Sequence, residues 1–167
     1  MNQKSENGAN VPFRPNLRVC VSEDVRLARA VEDSYLDKLA SVAAYTYRSL
    51  MTEETDRLLS QTLDAFAIEE MEHFRLLGEL IFALGGNPTV RTQVRISPIE
   101  WRGEHCKEPE RVVMQMLEEA VRGEKRCVER LETLMGHTED RVVRSLLAYL
   151  ISDGQRHIVR LRDAMAG

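Results

Sequence analysis

Eight positions from Leu59 to Leu84 (59, 63, 66, 70, 73, 77, 80 and 84) recur at helical spacing, and six of them are Leu or Phe. Such a stripe is the buried face of an amphipathic helix. The other two are Glu70 and His73. Three residues apart, a carboxylate and an imidazole project side by side from one helix face, and here that face belongs inside. An ionised group enters a core only with a partner or a metal. Glu-x-x-His facing inward is what a four-helix carboxylate metal site takes from one of its helices, so this segment points to a helical bundle with a polar layer across its middle.

The rest of the chain supplies three more striped segments. Residues 1–21, with Pro12, Pro15, Gly8 and several Asn, read as a flexible or extended tail, and 22–167 as the bundle. Ser22, followed by Glu23 and Asp24, is placed to cap a first helix that runs to about Met51 with Val31, Tyr35, Lys38, Val42, Tyr45 and Ser49 inward. Thr52 restarts the chain as the second helix, which stops at Gly85-Gly86-Asn87-Pro88. Residues 88–108 show no helical stripe and are long enough to run back along a whole helix. Pro109 opens a third helix with Val113, Leu117, Ala120, Glu124, Val128, Leu131 and Met135 inward. Thr138 caps a fourth, striped by Val143, Leu147, Leu150, Gly154, His157 and Leu161. The expected fold is all-α, a four-helix bundle of two antiparallel hairpins joined by a long crossover.

Composition narrows the class without naming a function. With 27 acidic against 23 basic residues, a net charge of −4 and no basic cluster, nothing attracts nucleic acid or an anionic membrane. There is no run of about 18 apolar residues to span a bilayer. Cys20, Cys106 and Cys127 are scattered and odd in number, so neither a disulfide framework nor a thiolate zinc site is indicated, and the chain reads as cytoplasmic. One stripe per helix accounts for a single core and asks for no second buried face; a homo-oligomer, a dimer first, is left open.

The two halves repeat weakly: an offset of 84 lays His73 on His157, Glu69 on Asp153 and Glu70 on Gly154. Depth within each hairpin then puts Lys38, Glu70, Glu124 and Gly154 in one layer, with His73 and His157 a turn away. A two-metal site of this architecture takes four carboxylates and two imidazoles. This layer offers Glu70, Glu124, His73 and His157, with Lys38 and Gly154 in the two remaining ligand positions. Three arrangements are open. Lys38 replaces the metal as counter-charge to Glu70 and Glu124; or one ion is held by Glu70, His73, Glu124 and His157; or a two-metal centre recruits Asp37, Glu69 or Asp153, each one residue off the inward stripe and otherwise a solvated-face residue. Gly154 leaves a gap beside Glu70, filled by Tyr35, Tyr45 or the Lys38 stem, holding water, or open as a small ligand pocket. His105 and His137 read as solvated residues or caps, Tyr45 and Tyr47 as core or interface residues, Trp101 as a pin for the crossover, and Cys127 as a small buried hydrophobe.

Residues 67–88, AIEEMEHFRLLGELIFALGGNP, with AAYTYRS at 43–49 and GEKRCVERL at 123–131, resemble the ferritin-like superfamily, most closely its rubrerythrin and manganese-catalase branch, over residues 24–165. The resemblance implies the ferritin-like bundle and a degenerate di-metal site. The family's ligand positions fall on Lys38, Glu70, His73, Glu124, Gly154 and His157, and the glutamates are replaced at Lys38 and Gly154. The Cys-x-x-Cys module of true rubrerythrins is absent. Two functions follow as expectations: a non-catalytic, regulatory or structural protein without a cofactor, or an iron- or manganese-dependent oxidoreductase acting on peroxide or oxygen.

Overall fold

Asp24 starts the first helix: its Oδ1 accepts hydrogen bonds from the backbone N–H groups of Arg26 and Leu27, both at 3.0 Å. The computed structural model describes residues 17, 21–90, 96 and 109–166, and four helices account for most of them: α1, Val25–Thr52; α2, Arg57–Ala83; α3, Pro109–Met135; and α4, Arg141–Ala166. Asp56 caps α2 through Leu59 N–H at 2.9 Å, and Asp140 caps α4 through the N–H groups of Val142 and Val143 at 2.8 and 3.0 Å. Ser22, Thr52 and Thr138, the hydroxyls expected to cap, are each displaced by an aspartate two to four residues further on. A carboxylate accepts a stronger, charge-assisted bond and also complements the positive end of the helix dipole. Thr52 instead closes α1, buried, with its hydroxyl donating to the carbonyl of Arg48 at 2.9 Å.

At the other end of α2, Gly85 takes a φ of 83°, the left-handed conformation that stops a helix at little cost only in glycine. The chain then folds back so that Asp24 N–H donates to Leu84 O at 3.0 Å. Ser49 and Ser60 bond at 3.1 Å near the opposite end, so α1 and α2 form one antiparallel hairpin. The second hairpin, α3 with α4, is braced at its turn by Arg144, which donates to Met135 O and Thr138 O at 2.7 and 3.1 Å.

Between the hairpins, α1 lies against α3 and α2 against α4. Asp33 and Asp37 reach Arg130, and Tyr45 reaches Glu124; His73 reaches Asp153, and Glu69 reaches Arg156. Both cross-seam pairs are therefore antiparallel, and α3 begins at the end of the bundle opposite that where α2 stops. The connection between them joins opposite ends, the long crossover expected. Of that crossover the structure describes residues 88–90 and 96, and of the 1–21 tail Leu17 and Val21; Cys20, Trp101, His105 and Cys106 lie outside the described residues. No strand occurs among the described residues, and no helix there is long and apolar enough to cross a membrane. Leucine, isoleucine and phenylalanine fill the core above and below one polar layer: Lys38, Glu70, His73, Glu124, Asp153 and His157 are all buried.

Candidate functional site

Every residue assigned inward at this layer is inward. Lys38 from α1 is 1% exposed and Glu70 from α2 is 0% exposed. The Lys38 Nζ donates to Glu70 Oε1 at 3.0 Å and stands 2.9 Å from Oε2, an ion pair with both oxygens in which Oε2 itself accepts no hydrogen bond among the described residues. Glu124 from α3 is held differently from the expected Lys38 bridge. Its Oε1 accepts from the Tyr45 hydroxyl at 2.6 Å and lies 3.4 Å from His157 Nδ1, while its buried Oε2 has no hydrogen-bond partner among the described residues. Tyr45, read from sequence as a packing residue, is thus the group that fixes Glu124.

Each imidazole bridges an inner and an outer carboxylate. His73 sets Nδ1 3.1 Å from Glu70 Oε1 and Nε2 3.0 Å from Asp153 Oδ2. His157 turns Nδ1 toward Glu124 and Nε2 to Glu69 Oε2 at 2.7 Å. Arg156 closes the outer side, with Nη1 2.6 Å from Asp153 and Nη2 2.9 Å from Glu69. Glu69 and Asp153, expected on a solvated face, instead clasp the imidazole of the opposite hairpin. The internal repeat held the signal, because residues that superpose at an offset of 84 exchange partners across the seam. Asp37 does not turn inward; its carboxylate meets Arg130 Nε at 3.0 Å.

Burial penalises every charge here, and the neighbours outweigh it. Burial alone would drive the Lys38 pKa down, but Glu70 and then Glu124 hold it above the ordinary lysine value. Burial raises Glu70, yet the Lys38 ammonium and His73 bring its carboxyl down to about 2. His157 is raised to about 9, with the bonds to Glu124 and Glu69 overcoming burial. His73 is raised by Asp153 and Glu70 in the same way, and Asp153 is lowered to about 2 against its burial by His73 and Arg156. Lys38, Arg156, His73 and His157 thus interleave with Glu69, Glu70, Glu124 and Asp153, each basic side chain standing against at least one carboxylate.

Glu70, Glu124 and His157 each present a ligand atom within 4.8 Å of the others, so a three-residue group capable of coordinating a metal is present; His73 is not in that group. A full dinuclear set does not fit. An ammonium at Lys38 already stands against Glu70, and no side chain projects from Gly154. The gap expected at Gly154 is closed: a Cβ there would lie 2.8 Å from Val128 Cγ2 and 3.6 Å from Glu124 Oε2. Val128, rather than Tyr35, Tyr45 or the lysine stem, fills it. Tyr35 is occupied elsewhere, stacked on Phe74 at 4.2 Å with its hydroxyl donating to Pro88 O.

The ferritin-like domain model of the Ferritin family matches residues 27–166. The chain belongs to the ferritin-like family. No curated protein matches it. As a ferritin-like chain it has the four-helix bundle, with Glu70, Glu124 and His157 as its candidate metal-holding group. A cleft of about 490 Å³ between α1 and α3 runs past Ala40, Ala44 and Gly123 to Tyr45, Glu124 and Cys127. Burial pushes the Cys127 thiol up to about 12, which leaves it a packed hydrophobe rather than a nucleophile, and His137 is exposed at the α3–α4 turn.

Proposed function

We propose that this ferritin-like protein has exchanged a dinuclear centre for a metal-free charge cluster built on Lys38, and that its role is structural or regulatory rather than catalytic. The observation that carries this reading is the buried Lys38 ammonium within 3.0 Å of both Glu70 oxygens. A protonated amine has no lone pair for a metal, and it already supplies the positive charge for which the family's metals are held. Within the family, the residues at 43–49, 67–88 and 123–131 favour the rubrerythrin and manganese-catalase branch. The scattered cysteines favour a cytoplasmic setting. Anaerobic calorimetric titration with ferrous and manganous ions, followed by metal analysis after dialysis, tests the reading. No tightly held pair of ions and negligible peroxide turnover are expected; two equivalents of retained metal overturn it.

One observation favours a second reading. Glu124 Oε2 is buried without a partner, in the same group as Glu70 and His157. Two oxygens and a nitrogen suit a single zinc, iron or manganese ion, with His73 as a further candidate ligand on turning from Glu70. Such an ion would act as a Lewis acid toward peroxide or oxygen, while Tyr45 would orient Glu124 and Glu69 would fix the His157 tautomer. One retained equivalent, lost in His157→Ala, selects this reading over the first.

A further inference from the structure

Gly123 lies in the middle of α3 with no packing reason to be glycine. Glycine inside a helix is less stable than alanine, and at Gly154 a close neighbour, Val128, accounts for it. At Gly123 a Cβ would meet no described side chain nearer than Arg126 Nη2, at 4.0 Å. It opens instead on the cleft of about 490 Å³ between α1 and α3, where Ala40, Ser41, Ala44 and Ala120 keep the walls equally bare. The charged side chains around that cleft are Arg48, Arg122, Arg126 and Arg130 against Asp37, Glu119 and Glu124. Arg130 is taken up with Asp37, and Glu124 accepts from Tyr45. Three guanidinium groups then remain with one exposed carboxylate, Glu119. Arg122 has Glu118 at 3.7 Å, and Arg126 turns its guanidinium back over Gly123. Arg48 is half-buried over the Tyr45 ring, 5.8 Å from its centroid, and forms no hydrogen bond or ion pair among the described residues. Burial lowers its pKa, the mark of a cation drawn out of water without an anion to meet it.

We propose that the α1–α3 cleft binds a small organic anion, its carboxylate or phosphoryl head on Arg48 and its body in the slot over Gly123, with Arg122 and Arg126 at the rim. A guanidinium presents its donors in a planar fork that matches two oxygens of either head group. α1 and α3 run antiparallel, with Tyr45 opposite Glu124 and Asp37 opposite Arg130. Arg48 therefore falls toward the Glu119 and Arg122 end of the slot, and Arg126 toward the other. Between them the bare walls at Ala40, Ala44, Ala120 and Gly123 admit a flat apolar body close to both helix backbones, and the volume is that of a small-molecule site. None of the three arginines belongs to the central polar layer, so binding does not depend on whether a metal is held there.

Calorimetric titration of the full-length chain, dialysed against a chelator so that no bound metal contributes, tests this with benzoate and phenyl phosphate as probes. At least one should bind at a single saturable site with a Kd below about a millimolar, and the tighter of the two identifies the head group. Acetate and inorganic phosphate, which lack the body, should bind about tenfold more weakly or worse. Arg48→Gln should weaken the better probe by about tenfold or more, with Arg126→Gln in its place if that variant fails to fold. Gly123→Leu should block the slot while leaving every charge in place. Lys125→Gln, on α3 but outside the cleft, should bind as wild type does. Without ligand, Gly123→Ala should raise the thermal midpoint by about 2–4 °C, since packing does not require the glycine. No saturable binding of either aromatic anion, binding indifferent to the arginine variants or to Gly123→Leu, an equal loss in Lys125→Gln, headgroup ions that bind as well as the aromatic anions, or a lowered midpoint in Gly123→Ala overturns the proposal.

Discussion

With its Nζ within 3.0 Å of both oxygens of Glu70, Lys38 cannot lose its ammonium without leaving a buried carboxylate with His73 as its nearest partner. Lys38→Met should therefore lower stability at neutral pH by about 3–5 kcal/mol, and the gap to wild type should narrow between roughly pH 7 and 5 as the freed carboxyl takes up a proton. Chemical denaturation at the two pH values checks both parts, and an unchanged midpoint at neutral pH counts against the ion pair. Gly154 invites a second test. Alanine normally gains about 1 kcal/mol over glycine inside a helix, but a Cβ here meets Val128 Cγ2 at 2.8 Å, and overpacking costs about 1–3 kcal/mol. Gly154→Ala should destabilise the wild type yet stabilise a Val128→Ala background. The same contact means that Lys38→Glu with Gly154→Glu should build a two-metal site only once Val128 is also cut back.

Among the helices, what was legible in the sequence was set by periodicity, and what was not was set by local competition. The stripes through Val31, Leu63, Leu117 and Leu147 located every helix and its inward face, because burial repeats every turn and a stripe averages over many residues. Caps do not repeat. Ser22, Thr52 and Thr138 each precede an acidic residue and look like starts, yet Asp24, Asp56 and Asp140 take the backbone N–H groups. Asp56→Ala and Asp140→Ala should each cost about 1 kcal/mol in thermal unfolding, whereas Ser22→Ala should change nothing measurable. At the site, Glu70, His73, Glu124 and His157 were found by register, since each interrupts a stripe. The partners of Glu69 and Asp153 were not, because a residue one step off the stripe faces the seam or the solvent according to how the two hairpins meet, and that angle is a property of no single helix.

Across the whole molecule, packing is dense within each hairpin and thin between them, where α1 meets α3 and α2 meets α4. Much of that seam is polar: Tyr45 with Glu124, His73 with Asp153, His157 with Glu69, and Arg130 with Asp33 and Asp37. Its strength should follow pH. His157 titrates near 9 in the fold against about 6.5 unfolded, so its contribution is complete below about pH 6.5 and lost as pH rises through 9. Asp153 and Glu70, each lowered to about 2, contribute above the ordinary carboxylate range and lose that contribution as pH falls toward 2. Thermal midpoints should peak between about pH 5 and 6.5 and decline on both sides. Glu69→Gln should flatten the alkaline decline, and a decline unaltered by that change would remove the His157–Glu69 bond as its source.

The position of Lys38 also bears on how such a protein depends on its surroundings. If the central positive charge of the bundle is a side chain, it is delivered with the polypeptide and requires no uptake, loading or sorting of an ion. Chain made in a cell starved of iron and manganese would then be the same protein as chain made in plenty, a chelator would have nothing to strip from it, and the wrong metal would find the central position already taken by an ammonium bonded to Glu70.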